Sequence, residues 1–252
     1  MTTVAPRSSF LGLSLDALTL EEAVARCAVA VAARENLTVG VLNAAKIVHM
    51  RADRRLRDSV TSCDLVLADG QSVVWASRVL GQPLPERVAG IDLFTSLMEE
   101  GSRRGWRVYF LGARPDVLGR MLTEVRRRYP GLVVAGARDG YFADHEAGEV
   151  AGEIGGAGPD LLFLGMTSPK KEIFLAEWAG RIKAGVVHGV GGSFDVLAGY
   201  TRRAPRSWQR LGLEWLHRLL QEPRRLGPRY LSTNLAFVRI VLSEYTAQRR
   251  AR

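Results

Sequence analysis

The sequence predicts an α/β protein with a Rossmann-like open, mostly parallel sheet, helices on both faces and a C-terminal helical appendage. Short runs rich in Val and Leu alternate with longer amphipathic stretches, which is typical of parallel β/α units. The 252 residues are 47% hydrophobic and 24% charged, enough for the core of one domain and an appendage. We therefore divide the chain into a body, residues 1–200, and an appendage, residues 201–252.

The elements of the body follow one another in a regular order. Apolar runs predict strands at 37–42, 63–68, 106–112, 132–136, 160–165 and 185–191. Between them, apolar residues at helical spacing predict helices at 20–34, 44–58, 71–80, 91–104, 116–129, 145–155 and 169–182. Ligands in such sheets bind beyond the carboxyl ends of the strands, so the residues after each strand are the first candidates for a site.

The appendage is both basic and amphipathic. It holds twelve arginines against three glutamates and carries the whole formal net charge of +9, because the body has 23 basic and 23 acidic residues. An apolar face predicts a helix from Ser207 to Glu222 that Pro223 ends; this face contains Trp208, Leu211, Trp215 and Leu219. A second apolar pattern predicts another helix; it consists of Leu231, Leu235, Val238, Leu242 and Tyr245.

Three anionic partners fit this charge: nucleic acid, a phospholipid surface and a phosphorylated substrate. No recognised nucleic-acid-binding module accompanies the arginines, which disfavours nucleic acid. The appendage helices are expected to pack on the body, to lie at the interface of an anionic membrane, or to do both. Two docked helices with solvated arginines are the simpler alternative.

The sequence shows no segment that would cross or pass through a membrane. Its longest apolar runs are far shorter than the ~20 residues that span a bilayer. The N-terminal MTTVAPRSSF lacks the basic and apolar pattern of a secretory signal, so we expect a cytoplasmic protein. Cys27 and Cys63 have apolar neighbours and are expected to be buried free thiols.

No metal or other cofactor is predicted. The four histidines, His49, His145, His188 and His217, are scattered and have no Cys or carboxylate partner at ligand spacing. The sequence has no Asp-x-Asp pair to hold a nucleotide-bound divalent ion and no G-x-S-x-G nucleophile elbow. These absences favour metal-independent chemistry.

Asp69 and Asn43 are polar residues that directly follow predicted strands. Asp69, in LADGQS, is expected to face the crevice at the strand ends. A carboxylate there can take a proton from an attacking hydroxyl, as the general base of an inverting glycosyl transfer does. The alternative for Asp69 is an ordinary turn aspartate before Gly70.

Two predicted helix starts are candidate anion sites. In FLGARPDV, Gly112 ends a strand and Pro115 opens a helix, so free backbone N–H groups can receive phosphate; a tight turn without a ligand fits equally well. In GMTSPKKEIF, Lys170 and Lys171 lie in a first helical turn against the dipole, which a bound diphosphate would explain. Two exposed lysines behind a Ser168 cap are the alternative.

Two further segments carry candidate residues. In HGVGGSFDVLAG, Gly191 and Gly192 allow close approach by a bulky ligand, while Asp195 binds a sugar hydroxyl or caps a short helix. In GQPLPERVAGIDLF, two prolines indicate an ordered loop rather than a helix. Arg87 in this loop clamps a substrate or pairs with Glu86 or Asp92, and pairing is favoured.

Six segments, in order along the chain, carry a resemblance to a known family: NAAKIV, DLVLADGQSVVWASRVLGQPLPERVAGIDL, FLGARPDV, DLLFLGMTSPKKEIF, GVGGSFDVLAGYTRRAP and QRLGLEWLHRLLQEPRR. From about Phe10 to Tyr230 the chain resembles the WecG/TagA/CpsF glycosyltransferases. The resemblance implies transfer of an N-acetylmannosamine-type or related sugar from a UDP donor to a polyprenyl-diphosphate-linked acceptor, with inversion. The product would enter bacterial cell-surface polysaccharide synthesis.

The resemblance also implies a location and a role for the appendage. The enzyme would be peripheral on the inner face of the plasma membrane, and the appendage would complete the active site and assist membrane attachment. A homo-oligomer is compatible with the sequence.

The same resemblance implies roles for individual residues. Asp69 of the D-G motif would be the base, and Asn43, the motif asparagine, would be a second catalytic residue. Substrate contacts in the body would come from Arg87, Gly90, Asp92, Gly165, Pro169, Lys170, Glu172, Gly191, Gly192 and Asp195. In the appendage, Arg218, Arg224 and Arg225 would contact the diphosphate.

Three positions depart from the family pattern. Val41 stands where many members have threonine, Ile91 where serine or threonine usually precedes the motif aspartate, and Lys171 where glutamine is common. The two missing hydroxyls keep a rival hypothesis open, a membrane-bound or nucleotide-binding regulator that retains the fold without catalysis. They also leave the donor sugar unspecified.

Overall fold

The computed structural model describes residues 7–250, apart from the side chains of Arg210, Arg225, Leu226, Pro228 and Arg229. It is an α/β fold built on a six-stranded sheet in which every neighbouring pair of strands is parallel. The predicted fold class is confirmed.

A short antiparallel hairpin precedes the six strands of the sheet. The hairpin strands are β1 (Arg7–Phe10) and β2 (Leu13–Asp16). The sheet strands are β3 (Leu37–Leu42), β4 (Leu65–Ala68), β5 (Arg107–Gly112), β6 (Val133–Arg138), β7 (Leu161–Gly165) and β8 (Val186–Gly189). Their order across the sheet is β4-β3-β8-β7-β5-β6, which brings the ends of β4, β3 and β8 side by side.

Helices connect the strands and form the C-terminal part. They are α1 (Leu20–Ala33), α2 (Ala44–Ala52), α3 (Arg54–Thr61), α4 (Gln71–Val79), α5 (Gly90–Arg104), α6 (Pro115–Arg128), α7 (Ala147–Ala157), α8 (Lys170–Ile182), α9 (Ser193–Leu197), α10 (Arg206–Arg210), α11 (Glu214–Gln221) and α12 (Pro223–Arg250). No helix in the stretch from 7 to 250 has both the length and the apolar composition to span a bilayer.

Core side chains lie on both faces of the sheet. Successive residues of a strand point to opposite faces, and Phe110 accordingly joins the core cluster of α1, α5 and α6 while Tyr109 joins that of α7 and α8. Phe94 of α5 packs edge-on to Phe163 of β7, with ring centroids 4.7 Å apart. Because helices cover both faces of the sheet, nearly all residues of the strands are apolar.

The hairpin at the N-terminus is an element that the sequence did not predict. Each strand has four residues, and the turn at Leu11 and Gly12 has positive φ angles without an Asn-Gly or Asp-Gly pair. The buried carboxylate of Asp16 accepts a hydrogen bond of 2.7 Å from the N–H of Val66. The hairpin therefore adjoins the β4 edge of the sheet.

Two predicted helices are each divided in the structure. The helix expected at 44–58 becomes α2 and α3, because Asp53 ends the first and its Oδ1 accepts from the N–H of Leu56 to cap the second. The helix expected from Ser207 to Glu222 becomes α10 and α11, with Gly212 at a φ of +71° between them. A Cβ at that glycine would lie 2.4 Å from the side chain of Gln71, so only glycine fits there.

The long helix α12 packs on α2 through one face and leaves another exposed. Phe237 is buried in the core cluster that includes Leu42 and Ile47, and Tyr245 packs partly against it. The predicted apolar stripe lies mostly outside this contact, since four of its members are 51–66% exposed: Leu231, Leu235, Val238 and Leu242. We call these four residues the exposed stripe.

The two thiols differ in burial. Both cysteines are free, and Cys27 is fully buried while Cys63 is only half-buried. Burial raises the pKa of Cys27 to about 12 and that of Cys63 to about 11, so both remain protonated at neutral pH.

Candidate active site

Asp69 and Asn43 meet at the carboxyl edge of the sheet. The N–H of Asp69 donates to the carbonyl of Leu42 at 2.8 Å, which holds the end of β4 against the end of β3. Asn43 caps α2 by accepting from the N–H of Lys46 at 3.0 Å, and its Nδ2 lies 3.4 Å from Asp69 Oδ2. A Cβ on Gly70 would come within 3.2 Å of Asn43, so this glycine permits the two strand ends to approach closely.

The loop before α5 supplies a second contact to Asp69. Val88 continues the edge of β4, because its N–H donates to the carbonyl of Ala68 at 2.9 Å. The next turn brings the N–H of Gly90 to 2.9 Å from Asp69 Oδ1. The carboxylate is thus held on one oxygen by a helix N-terminus, and the predicted ordered loop before α5 agrees with the structure.

A buried cluster of two lysines and one glutamate lies beside this carboxylate. Lys46 Nζ is 2.9 Å from Glu172 Oε1, and Lys171 Nζ is 3.6 Å from the same oxygen. All three side chains are at most 11% exposed. Burial lowers the pKa of Lys171, while the two ammonium groups hold the pKa of Glu172 below its usual range despite burial. Two cations facing one carboxylate leave an excess positive charge in this cluster, and Lys171 interacts electrostatically with Asp69.

Lys171 also contacts the glycine-rich loop after β8. A Cβ on Gly189 would lie 3.0 Å from Lys171 Cδ and Cε, and one on Gly191 would lie 3.8 Å from its Nζ. Gly191 has a φ of +53°, and Gly192 is the N-cap of α9. Asp195 lies in the first turn of that helix. The N-cap position belongs to Gly192, and no side chain caps the helix there. Lysine in place of the common glutamine therefore puts an ammonium group under this loop.

Other predicted residues are engaged in contacts within the protein. Lys170 Nζ donates to the carbonyls of Gly140 and Phe142 at 3.1 Å each and lies over the Phe142 ring. Pro169 is the N-cap residue of α8 and directly precedes Lys170. The ammonium group of Lys170 thus fixes the loop after β6.

Gly112 and Gly165 allow the ends of β5 and β7 to lie close together. A Cβ on Gly112 would lie 2.5 Å from the backbone of Gly165, and one on Gly165 would lie 2.4 Å from the ring of Phe194. Packing alone accounts for glycine at both positions, and contact with a substrate stays a prediction for them.

Four charged side chains join the body to the appendage, and we call them the four-charge network: Arg87, Asp92, Arg203 and Glu214. Arg203 binds Asp92 through two hydrogen bonds of 2.5 and 2.8 Å, and its Nε donates to Glu214 at 3.0 Å. Arg87 pairs with Glu214 and lies 3.7 Å from Asp92, so the predicted pairing of Arg87 and Asp92 is confirmed. The two guanidinium groups hold the pKa of Glu214 below its usual range despite burial.

The appendage arginines named from the sequence lie elsewhere. Arg218 and Arg224 are exposed, and the side chain of Arg225 falls outside the described residues. In this structure the appendage contacts the predicted site through Arg203 and Glu214 instead.

Metal ligands are not grouped in the part of the chain that the structure describes. Between residues 7 and 250, no cluster of three or more His, Cys, Asp or Glu side chains is placed to hold a metal ion. Within the same residues, the side chain of Lys171 is a cation that interacts electrostatically with Asp69.

Comparison with known proteins decides the family. The sequence profile described as the glycosyl transferase WecG/TagA/CpsF family matches residues 8–251. The chain belongs to this family. The resemblance seen in the motifs is thereby confirmed, and the fold with its polar strand ends is the scaffold of a WecG/TagA/CpsF glycosyltransferase.

The chain is also similar to a protein whose name states its activity. An N-acetylglucosaminyldiphosphoundecaprenol N-acetyl-beta-D-mannosaminyltransferase of Bacillus spizizenii is 40% identical over 166 residues. These residues are 66% of this chain and 64% of the relative, so the match spans just under two thirds of the relative's length.

Sequence reasoning missed three members of this site. Lys46 was detectable, because it lies in the first turn of a helix against the dipole, as Lys170 and Lys171 do. Arg203 stands beside Arg202, and nothing in the sequence separates the one that binds Asp92 from its neighbour. Glu214 pairs with Arg87 across 127 positions, a distance that no local pattern encodes.

Proposed function

We propose that this protein transfers an N-acetylmannosamine-type or related sugar from a UDP donor to a polyprenyl-diphosphate-linked acceptor, with inversion at the sugar carbon. The observation that carries the proposal is the Asp69 carboxylate at a strand end, held by Gly90 and Asn43 beside the excess positive charge of Lys46 and Lys171. Family membership and the activity of the Bacillus relative support the reaction class and the acceptor.

Asp69 would act as the general base. Its Oδ1 is engaged by the N–H of Gly90, while among the described residues Oδ2 has the long contact to Asn43 and no closer hydrogen bond, so it can accept a proton. In a single displacement the acceptor hydroxyl gives its proton to Oδ2, its oxygen bonds to the anomeric carbon, and the bond to the UDP oxygen breaks with both electrons. One displacement without a covalent intermediate inverts the configuration.

Protein cations would offset the charge of the leaving diphosphate. Lys171 lies under the glycine-rich loop that contains Gly191 and Gly192, and its ammonium group is the cation closest to that loop in the contacts described above. Arg87 is a second cation at the rim, paired with Glu214. We therefore expect turnover without an added divalent ion.

The lipid-linked acceptor would be met at a membrane surface. The appendage carries the net positive charge of the chain, and the exposed stripe gives it an apolar face. Basic residues attracted to anionic lipid and apolar residues inserted at the interface are the features of a peripheral helix. We propose this attachment to an anionic membrane as part of the function.

The test is a transfer assay on the purified full chain with a panel of UDP-sugars and a polyprenyl-diphosphate-linked N-acetylglucosamine. We expect UDP release and one sugar added to the lipid, with the opposite anomeric configuration to the donor, and unchanged turnover in EDTA. A thermal shift with UDP but no transfer from any donor would favour the non-catalytic regulator. Retained anomeric configuration would contradict the single displacement.

A further inference from the structure

His188 is a fully buried histidine in the middle of the sheet. It lies in β8 between Val39 of β3 and Phe163 of β7 in the strand register. The other residues at this level of the sheet are apolar, and the ring of Phe163 packs near that of His188. A polar ring in such a place is costly unless its nitrogen atoms find partners.

Among the residues that the structure describes, Nε2 is the nitrogen of His188 with a close hydrogen-bond partner, while the backbone of Val39 acts on the ring from the neighbouring strand. Nε2 lies 2.9 Å from the carbonyl oxygen of Gly90. A carbonyl can only accept, so Nε2 carries the proton and Nδ1 is the unprotonated acceptor. Nδ1 is buried and has no hydrogen-bond partner in the described part of the chain. A leucine at this position would avoid the cost of burying an unpaired polar nitrogen. Packing alone therefore does not explain a histidine here, and the hydrogen bond to Gly90 is the feature that distinguishes it from leucine.

Gly90 connects His188 to the carboxylate of Asp69. Its carbonyl accepts from His188 at 2.9 Å, and its N–H donates to Asp69 Oδ1 at 2.9 Å. Gly90 has no side chain that would pack and fix its place, and it is the first residue of α5. The hydrogen bond from β8 therefore ties the start of the helix to the central sheet, at the residue that orients Asp69.

We propose that His188 is a positioning residue for the reaction, which acts through Gly90 to fix the direction of the Asp69 carboxylate. This rests on the proposed role of Asp69 as the base. It follows that Oδ1 is held and Oδ2 is presented to the acceptor hydroxyl.

His188 would not compete with Asp69 for the acceptor proton. Burial lowers its pKa to about 4, and the charged groups that act on it are Asp69 and Lys171. The ring is neutral at pH 7, so its Nε2–H remains a donor to Gly90 across the working range.

Two amide substitutions separate positioning from simple polarity. Glutamine places its Nε2 near the histidine Nε2 and can still donate to Gly90, whereas asparagine is one methylene shorter and cannot. We expect His188→Asn to lower kcat about tenfold with little change in KM, and His188→Gln to stay within about threefold of the wild type. Equal kcat values for the two variants would overturn the proposal, whether both are normal or both are low.

Thr38→Val is the matched structural control. Thr38 is also buried in the sheet, and its hydroxyl donates to Asp64 at 2.7 Å, away from Asp69. We expect it to lower the melting temperature and leave kcat unchanged. A loss of kcat equal to that of His188→Asn would show general loosening and contradict positioning.

A double-mutant cycle with Asp69→Asn tests the connection itself. If His188 acts through Asp69, His188→Asn causes no further loss in the Asp69→Asn background. A full further loss there would overturn the proposal.

The single variants separate the role of His188 from the role of the base. Near-normal turnover of Asp69→Asn alone would refute Asp69 as the base. An inactive Asp69→Asn together with a normal His188→Asn would refute only the role of His188.

Discussion

Asp69 owes its orientation mainly to the backbone. Its own N–H is bound to Leu42, and its Oδ1 is bound to the N–H of Gly90. Backbone donors at a helix start are fixed by the fold and do not reorganise during the reaction. The side chain of Asn43, which donates to the carboxylate, is itself held because it caps α2.

The residue scale also shows what a sequence can and cannot reveal. Asp69 and Asn43 were predictable, because the ends of parallel strands meet at one edge and both residues directly follow a strand. His188 was dismissed as a scattered histidine, since its contact to Gly90 spans 98 positions. Contacts between buried polar groups of distant elements leave no periodic pattern in the chain.

Protonation of His188 should make the protein less stable in acid. The pKa of His188 is lowered by burial from 6.5 to about 4, so between these values the unfolded state binds more protons than the folded state. Stability is therefore full above pH 6.5 and is lost as the pH falls toward 4. We expect this ring to account for about 3 kcal/mol of that loss.

Denaturant unfolding of the wild type and His188→Leu at pH 7 and pH 4 measures this difference. The variant should lose about 3 kcal/mol less than the wild type over the interval. His145→Leu, a change at an exposed histidine, should follow the wild type. Parallel losses for the wild type and His188→Leu would refute the assignment.

Replacing Lys171 with glutamine should weaken donor binding. The change removes a buried ammonium group under the glycine-rich loop, while Glu172 keeps its contact to Lys46. We expect KM for the UDP-sugar to rise about tenfold, the usual effect of losing one charged hydrogen bond. Burial lowers the pKa of Lys171, so its ammonium group loses its proton at a lower pH than the ammonium group of an exposed lysine does. The affinity of the wild type for the donor should fall as the pH rises through that lower pKa.

Lys183→Gln is the control for this change, because Lys183 is exposed at the opposite end of α8. Its KM should equal that of the wild type. An unchanged KM in Lys171→Gln would mean that the ammonium group does not face the donor.

At the scale of elements, two contacts among those that the structure describes join the appendage to the elements that carry Asn43, Arg87 and Asp92. Helix α12 packs on α2, the helix that Asn43 caps, and buries Phe237 there. The four-charge network joins Arg203 and Glu214 to the loop and helix that carry Arg87 and Asp92. Deleting residues from Thr201 onward would remove both contacts at once, so point changes are the sharper test.

Glu214→Gln should loosen α11 on the body. It takes a carboxylate from two partly buried guanidinium groups, and charged hydrogen bonds of this kind contribute about 1.5–3 kcal/mol each. Hydrogen exchange of the amides at 214–221 should quicken by about tenfold or more. Glu244→Gln, on α12, should leave this exchange unchanged. Unaltered exchange in Glu214→Gln would show that the network does not hold α11.

At the scale of the whole molecule, charge and exposed apolar surface coincide in the appendage. The body is electrically neutral and the appendage carries +9. The exposed stripe lies on the helix that ends in Arg249 and Arg250. Contiguous exposed apolar residues beside basic ones mark a contact surface.

The double variant Leu235→Glu with Val238→Glu should bind anionic vesicles much more weakly than the wild type. Each change puts a carboxylate into the exposed stripe, and we expect a loss of about tenfold or more in vesicle sedimentation. Wild-type binding should also fall with added salt. Val29→Glu, at a half-exposed valine of α1, should bind as the wild type does. Equal binding of all three proteins would refute the membrane surface.

The fold class was predictable because both faces of the sheet are covered, which makes each strand a plain apolar run. Helix boundaries were predicted wrongly where a single residue determines them: Asp53 divides one helix by capping, and Gly212 divides another by its positive φ. The hairpin was not predicted because its strands have only four residues each. The packing of α12 could not be predicted either, because its more regular apolar stripe is exposed to solvent while Phe237, which is not part of that stripe, is buried against the body.

The most direct test of the account is the turnover of Asp69→Asn in the transfer assay with a UDP-sugar and a polyprenyl-diphosphate-linked acceptor. Asparagine keeps the shape and the contact to Gly90 but cannot take the acceptor proton. The account predicts a fall in kcat on the order of 100-fold or more, with normal folding and nearly normal donor binding. Asp58→Asn, at an exposed carboxylate of α3, should keep full activity. Turnover of Asp69→Asn close to that of the wild type would contradict the central claim.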